Sequence, residues 1–145
     1  MTSPPALDID VALRQFRTDV ADIVSDFLRD QIDLMTGISA DLLPLLDTLA
    51  DLLEGGKRLR PTFAYWGWRA AGGQPDPAIL RAASSLEFLQ ACALIHDDVM
   101  DGSDTRRGKP AAHRRLASMH RSHGYLGSPE DFGVGSAILL GDLCL

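Results

Sequence analysis

The sequence predicts an all-α chain on three observations. Apolar residues return at three- and four-residue steps in successive stretches, the period of helices with one buried face. Glycine and proline fall between those stretches, at the positions where helices stop and start. A longer apolar segment, ACALIH at 91–96, reads as the wall of a buried helix that ends in acid.

The chain of 145 residues is 46% hydrophobic and 23% charged, enough for one globular domain with a core. A net charge of −6 excludes a general nucleic-acid binder, which would show a basic face. There is no signal-peptide pattern, and no apolar run reaches the length expected of a transmembrane segment, so a cytoplasmic protein is expected. Cys92 and Cys144 lie in apolar helical contexts and are expected as small buried thiols, not as a disulfide or metal pair.

Residues 1–8 read as a frayed arm, because Pro4 and Pro5 discourage helix before Asp8. Leu13, Phe16, Val20, Ile23, Phe27 and Leu34 then mark a first amphipathic helix, broken at Gly37 and Ser39. Leu42, Leu45, Leu46, Leu49, Leu52 and Leu53 mark a second, with Pro44 tolerated in its first turn and Gly55 and Gly56 ending it. GGKRLRP follows at 55–61. Lys57, Arg58 and Arg60 before a helix that Pro61 can open make an anion site on charge and dipole grounds. Residues 61–71 predict a short helix whose Phe63, Tyr65, Trp66 and Trp68 fill core or interface.

Asp76 and Pro77 cap and open one long helix through the acidic cluster. Asp97 and Asp101 stand one turn apart and point the same way, while Asp98 lies about 100° round the axis and can only flank them. Like charges at this spacing repel unless a cation sits between them. Mg2+ suits one or two carboxylates and leaves coordination positions for phosphate oxygens. Arg106 and Arg107 follow at once, with guanidinium forks that match phosphate. Gln90, two turns below Asp97 on nearly the same face, is a polar amide on an apolar wall and needs a partner.

Pro110 is expected to start a helix through Arg121, with His113, His120 and His123 along or beyond it as surface histidines rather than metal ligands. His96 before Asp97 would suit a metal phosphohydrolase, but the further ligands such a site needs are missing. Ser128, Pro129 and Asp131 start a last helix in which Gly133, Gly135, Ser136 and Ala137 permit close packing. The sequence stops inside that apolar pattern, and a single partial domain over 1–145, cut from a longer protein, is expected.

GGKRLRP at 55–61, LEFLQACALIHDDVMD at 86–101 and DTRRGKP at 104–110, in that order, resemble the trans-isoprenyl diphosphate synthase (polyprenyl synthetase) family. The segment from His120 to Leu143 resembles its actinobacterial branch making geranylgeranyl and other short- to medium-chain products. The resemblance implies an all-α bundle around a deep cavity, here its N-terminal half, ending before the family's second aspartate-rich motif. It implies head-to-tail condensation of isopentenyl diphosphate with an allylic diphosphate, and a homodimer in the intact enzyme. Asp97 and Asp101 would bind Mg2+, Asp98 would support them, and Arg106 would contact the allylic diphosphate. Lys57, Arg60, Gln90 and Arg107 would hold isopentenyl diphosphate. Cys92 and Ala93, one turn below Asp97, would form the floor for the growing chain, with Leu89 the next stop. Both are small, which favours a geranylgeranyl product. A chain with one acidic motif is expected to be inactive alone. Two alternatives stay open: a non-catalytic half that binds prenyl diphosphates or a synthase, and a fragment of a class I terpene cyclase, against which the isopentenyl-type residues count.

Overall fold

The computed structural model describes residues 8–145, and the expected N-terminal arm up to residue 7 lies outside them. Among the described residues seven α-helices follow one another, with one small hairpin between the fifth and sixth. Helix α1, Ile9–Thr36, starts where the Asp8 carboxylate accepts from the Asp10 and Val11 amides. Its buried stripe is Phe16, Val20, Val24 and Leu28 at strict four-residue steps. Phe27 and Leu34, expected on that face, are exposed instead. A 3-10 turn, Ala40–Leu42, leads into α2, Leu43–Leu53, with Pro44 in its first turn as expected.

Helix α3, Leu59–Ala70, begins two residues earlier than Pro61 suggested, because Arg58 takes a left-handed conformation (φ 50°) that turns the chain into the helix. Of its aromatic residues only Tyr65 and Trp66 join the packing, Tyr65 at 5.1 Å from Phe16. Phe63 is 76% exposed.

The single long helix expected from Asp76 is two. Helix α4, Pro77–Ser84, and α5, Leu86–Met100, are divided at Ser85. The Ser84 and Ser85 hydroxyls donate to the Leu80 and Ala82 carbonyls, a side-chain competition that bends helices. Across that bend the 24 residues Pro77–Met100 are long and apolar enough, by length and composition, to cross a membrane. The sequence expectation counts only unbroken apolar runs, whereas this stretch interleaves its apolar residues with Arg81, Ser84, Ser85, Glu87 and Gln90. Here α5 packs against α2, α3, α6 and α7 inside the bundle.

Two-residue strands β1, Thr105–Arg106, and β2, Lys109–Pro110, pair antiparallel, Arg106 opposite Lys109. Arg107 (φ 53°) and Gly108 (φ 78°) form the tight turn between them, both left-handed as a two-residue hairpin requires. Pro110 therefore ends a strand rather than starting a helix, and α6 runs Ala112–Ser122.

Helix α7, Pro129–Asp142, lies along both α5 and α6. At Gly133 a Cβ would stand 2.8 Å from the Ala117 Cβ and would overlap the His113 carbonyl, so the glycine sets the α6–α7 approach. Gly141 does the same against the His96 ring, whereas Gly135 has open space. This close approach covers α6, and His113 and His120 are buried at 5% and 3% exposure, contrary to the surface position expected; only His123 is exposed. Cys92 and Cys144 join the core, free and buried as expected.

Candidate functional site: two anion surfaces meeting at a hairpin

The last turn of α5 carries three carboxylates at the negative end of a helix dipole, an arrangement that calls for cations. Asp97 is 61% exposed in its side chain and Asp101, the residue that caps the helix, is exposed one turn on. Asp98, rotated inward, is 4% exposed. Arg106 meets it with two parallel bonds, Nε to Oδ2 and NH2 to Oδ1, each 2.7 Å. That fork, with Asp97 at 3.6 Å from NH2, holds the Arg106 guanidinium above its ordinary pKa against an opposing desolvation. Arg106 therefore leans on Asp98 and stands at the edge of the Asp97–Asp101 pair.

Among the described residues no three His, Cys, Asp or Glu side chains come close enough to hold a metal alone. An exposed carboxylate pair one turn apart fits Mg2+, which retains waters and takes phosphate oxygens as its other ligands. The residues present thus fit the ion expected, which Asp97 and Asp101 would hold.

Arg107 lines the same cavity as Arg106 and extends to the end of α2. Its NH1 reaches the Glu54 carbonyl at 3.4 Å, and its NH2 would lie 4.0 Å from a Cβ on Gly56. With Gly55, Arg58, Glu87, Gln90 and Leu94 it lines a narrow cleft of about 20 Å³. The Gln90 Oε1 is buried there without a hydrogen-bond partner, the orphaned amide that the sequence led one to look for. Lys57 and Arg60 are exposed beside this cleft's loop, free of ion pairs among the described residues.

Arg58, grouped with them by sequence, is structural. Its side chain is 6% exposed, ion-paired with Glu87, and donates to the Leu53 carbonyl at 2.7 Å. The left-handed turn at Arg58 sends it inward while its neighbours stay out. Glu87 was missed as its partner because nothing in the sequence brings α5 back to this loop.

The three residues expected to form a chain-length floor do not share a face. Ala93 and Leu89 are exposed on α5. Cys92 is buried in the core with its Sγ 3.6 Å from His96 Nδ1, and His96 reaches the Ile138 carbonyl on α7 at 3.2 Å. Behind the Asp98–Arg106 pair a cavity of about 640 Å³ opens between α2, α5 and α6, with Asp51, Glu54, Lys109 and Arg115 at its polar side. Sequence reasoning assigned none of these four. Burial and Arg114 pull the His113 imidazole, near Asp98, below its usual pKa, so it is neutral there.

Comparison with known proteins follows the same residues. A family model described as polyprenyl synthetase matches residues 44–145. The octaprenyl diphosphate synthase of Escherichia coli is 32% identical over 117 residues, 74% of this chain and 31% of that protein. The Arabidopsis thaliana heterodimeric geranylgeranyl pyrophosphate synthase large subunit 1 is 31% identical over 142 residues, 92% of this chain and 33% of its own length. A crystal structure of geranylgeranyl pyrophosphate synthase from Corynebacterium glutamicum, complexed with isoprenyl diphosphate and magnesium, superimposes with a TM-score of 0.81 at 40% identity. It covers 91% of this chain, which spans 39% of that one. The chain thus spans about a third of the length of the relatives it matches, in an all-α fold shared with that structure. With the family match reaching from α2 to the last residue, through both arginine-bearing surfaces, the chain belongs to the polyprenyl synthetase family.

Proposed function

We propose that this chain is the diphosphate-binding part of a prenyl diphosphate synthase that condenses isopentenyl diphosphate with an allylic diphosphate. The observation that carries the reading is the hairpin turn. The two adjacent arginines differ in their neighbours: Arg106 pairs with Asp98 beside the acidic pair, while Arg107, itself left-handed, lies beside Gln90 and Gly55 of the 55–61 loop, and both line the cavity between them. Two diphosphates held side by side are what a condensation of two diphosphate substrates needs.

In this reading Asp97 and Asp101 would hold Mg2+ at the allylic diphosphate site, Asp98 would act through Arg106, and Lys57, Arg60, Gln90 and Arg107 would hold isopentenyl diphosphate. The metal would stabilise negative charge on departing pyrophosphate. Arg106 adds a fixed guanidinium to the same charge. Exposed Ala93 and Leu89 leave Asp97's side of α5 open for a prenyl tail, and Cys92 is withdrawn from it. A geranylgeranyl product is favoured by the small, exposed Ala93 below Asp97 and by the names of the Arabidopsis and Corynebacterium relatives. The chain brings one acidic pair, and alone it is expected to bind without turnover. A two-chain enzyme is the second reading, favoured by the heterodimeric relative.

The test is calorimetry of the chain with pyrophosphate, with and without Mg2+, and with isopentenyl diphosphate, followed by turnover of labelled isopentenyl diphosphate with farnesyl diphosphate by the full-length protein. Magnesium-dependent pyrophosphate binding lost in Asp97→Ala, and a C20 product, are expected. Diphosphate binding that ignores magnesium would overturn the metal assignment. Consumption of the allylic substrate without incorporation of label would favour a cyclase.

A further inference from the structure

Asp51 belongs to none of the three motifs, yet it touches the structure that joins them. It lies on α2 one turn before Glu54 and the glycine pair. Its Oδ1 accepts from Lys109 Nζ at 3.0 Å, and its Oδ2 is ion-paired with Arg115 of α6. Lys109 also reaches the Glu54 carboxylate at 3.4 Å, and Arg107 the Glu54 carbonyl at the same distance. The hairpin is thereby fixed on two sides, Arg106 to α5 through Asp98, Lys109 and Arg107 to the end of α2.

A ladder of two residue pairs cannot hold its own shape in water. What sets the direction of Arg107 is therefore the set of charges gripping its neighbours. Asp51 is the carboxylate in that set that spans the hairpin and the helix after it. Each of its pairs is partly exposed and contributes little to global stability. Its effect is local, on where the turn sits. Both cations hold the Asp51 carboxyl below the usual carboxylate range, so it is ionised throughout the neutral range.

Resting on the proposed function, we infer that Asp51 is a positioning residue: by holding Lys109 and Arg115 it aims Arg107 into the isopentenyl diphosphate cleft without touching the substrate. The cleft is narrow, and a misplaced guanidinium loses binding steeply with distance.

The test is titration of the 145-residue chain with isopentenyl diphosphate. Asp51→Asn is expected to weaken binding about tenfold with the melting temperature unchanged, while Asp51→Glu, which keeps the charge, stays within about threefold of wild type. In an Arg107→Ala background Asp51→Asn should cost nothing further, since its effect runs through that arginine. Wild-type affinity in Asp51→Asn, or a full additional loss in the Arg107→Ala background, would overturn the inference while leaving the proposed function standing. If wild type binds no isopentenyl diphosphate, the reading of the cleft fails instead. Hydrogen exchange at Arg107 and Gly108, faster in Asp51→Asn without ligand, still reports the positioning, and unchanged exchange would overturn it.

Discussion

Arg106 reaches both oxygens of the buried Asp98 carboxylate at 2.7 Å, while the exposed Asp97 stands 3.6 Å from the same guanidinium. The two aspartates, adjacent in sequence, therefore have different work. Asp98→Ala leaves Arg106 half-buried without its fork and is expected to cost about 2–4 kcal/mol. Asp97→Ala removes an exposed charge from a crowded acidic turn and should stay within about 0.5 kcal/mol of wild type. Urea unfolding of the two variants beside pyrophosphate titration separates the roles: Asp97→Ala keeps stability and loses magnesium-dependent binding. Equal destabilisation by both would sink the distinction.

That distinction was half legible in the sequence. Helical period alone placed Asp97 and Asp101 together and Asp98 aside, and it placed Gln90 below them. It could not show that Asp98 is buried, because the partner comes from a hairpin whose two-residue strands leave no alternation to read. The same limit applies to Arg58. Three cations in four residues look alike until a left-handed turn sends one inward to Glu87. His113 and His120 were read as surface because no further metal ligand lies near them in sequence, and their burial depends on Gly133 letting α7 come close. Period and punctuation report what a segment does by itself, and they are silent on which distant segment will cover it.

Arg58 and Glu87 form a nearly dry pair, 6% and 12% exposed. Removing either alone strands a buried charge, and Arg58→Ala or Glu87→Ala is expected to cost about 3–5 kcal/mol. The double change Arg58→Met with Glu87→Leu should recover most of that loss, since an apolar pair of similar volume has no charge to desolvate. Lys57→Ala, one residue away, should leave the melting temperature unchanged and weaken isopentenyl diphosphate. A Lys57→Ala protein as unstable as Arg58→Ala would contradict the division within the loop.

The small residues of α7 can be ranked by what a methyl group would meet. Gly133→Ala places a Cβ against the His113 carbonyl and 2.8 Å from Ala117, backbone and short side chain that cannot swing away. It should cost about 1–3 kcal/mol. Gly141→Ala meets the His96 ring, 31% exposed, which can move outward at lower cost but would leave the Ile138 carbonyl. Gly135→Ala meets nothing within 4 Å and should stabilise the helix by about 0.5–1 kcal/mol. Thermal melts of the three variants give the order, and a stabilised Gly133→Ala would refute the α6–α7 packing.

Cys144 offers a pH signature of the core. Burial first, and the Cys92 thiol second, push its pKa from 9.0 to about 11. The folded chain holds that proton more tightly than the unfolded one. The linked stability is thus fully present below about pH 9 and is lost as pH rises through the folded value. Two units correspond to about 3 kcal/mol. The loss of stability between pH 8 and pH 11 should therefore be larger in wild type than in Cys144→Ala by roughly 2–3 kcal/mol, whatever the substitution costs at pH 8. At pH 8 only about one thiol in a thousand would be thiolate, so iodoacetamide should label Cys144 slowly until the chain unfolds. Equal alkaline losses in the two proteins, with rapid labelling of folded chain, would place Cys144 in water and remove it from the core.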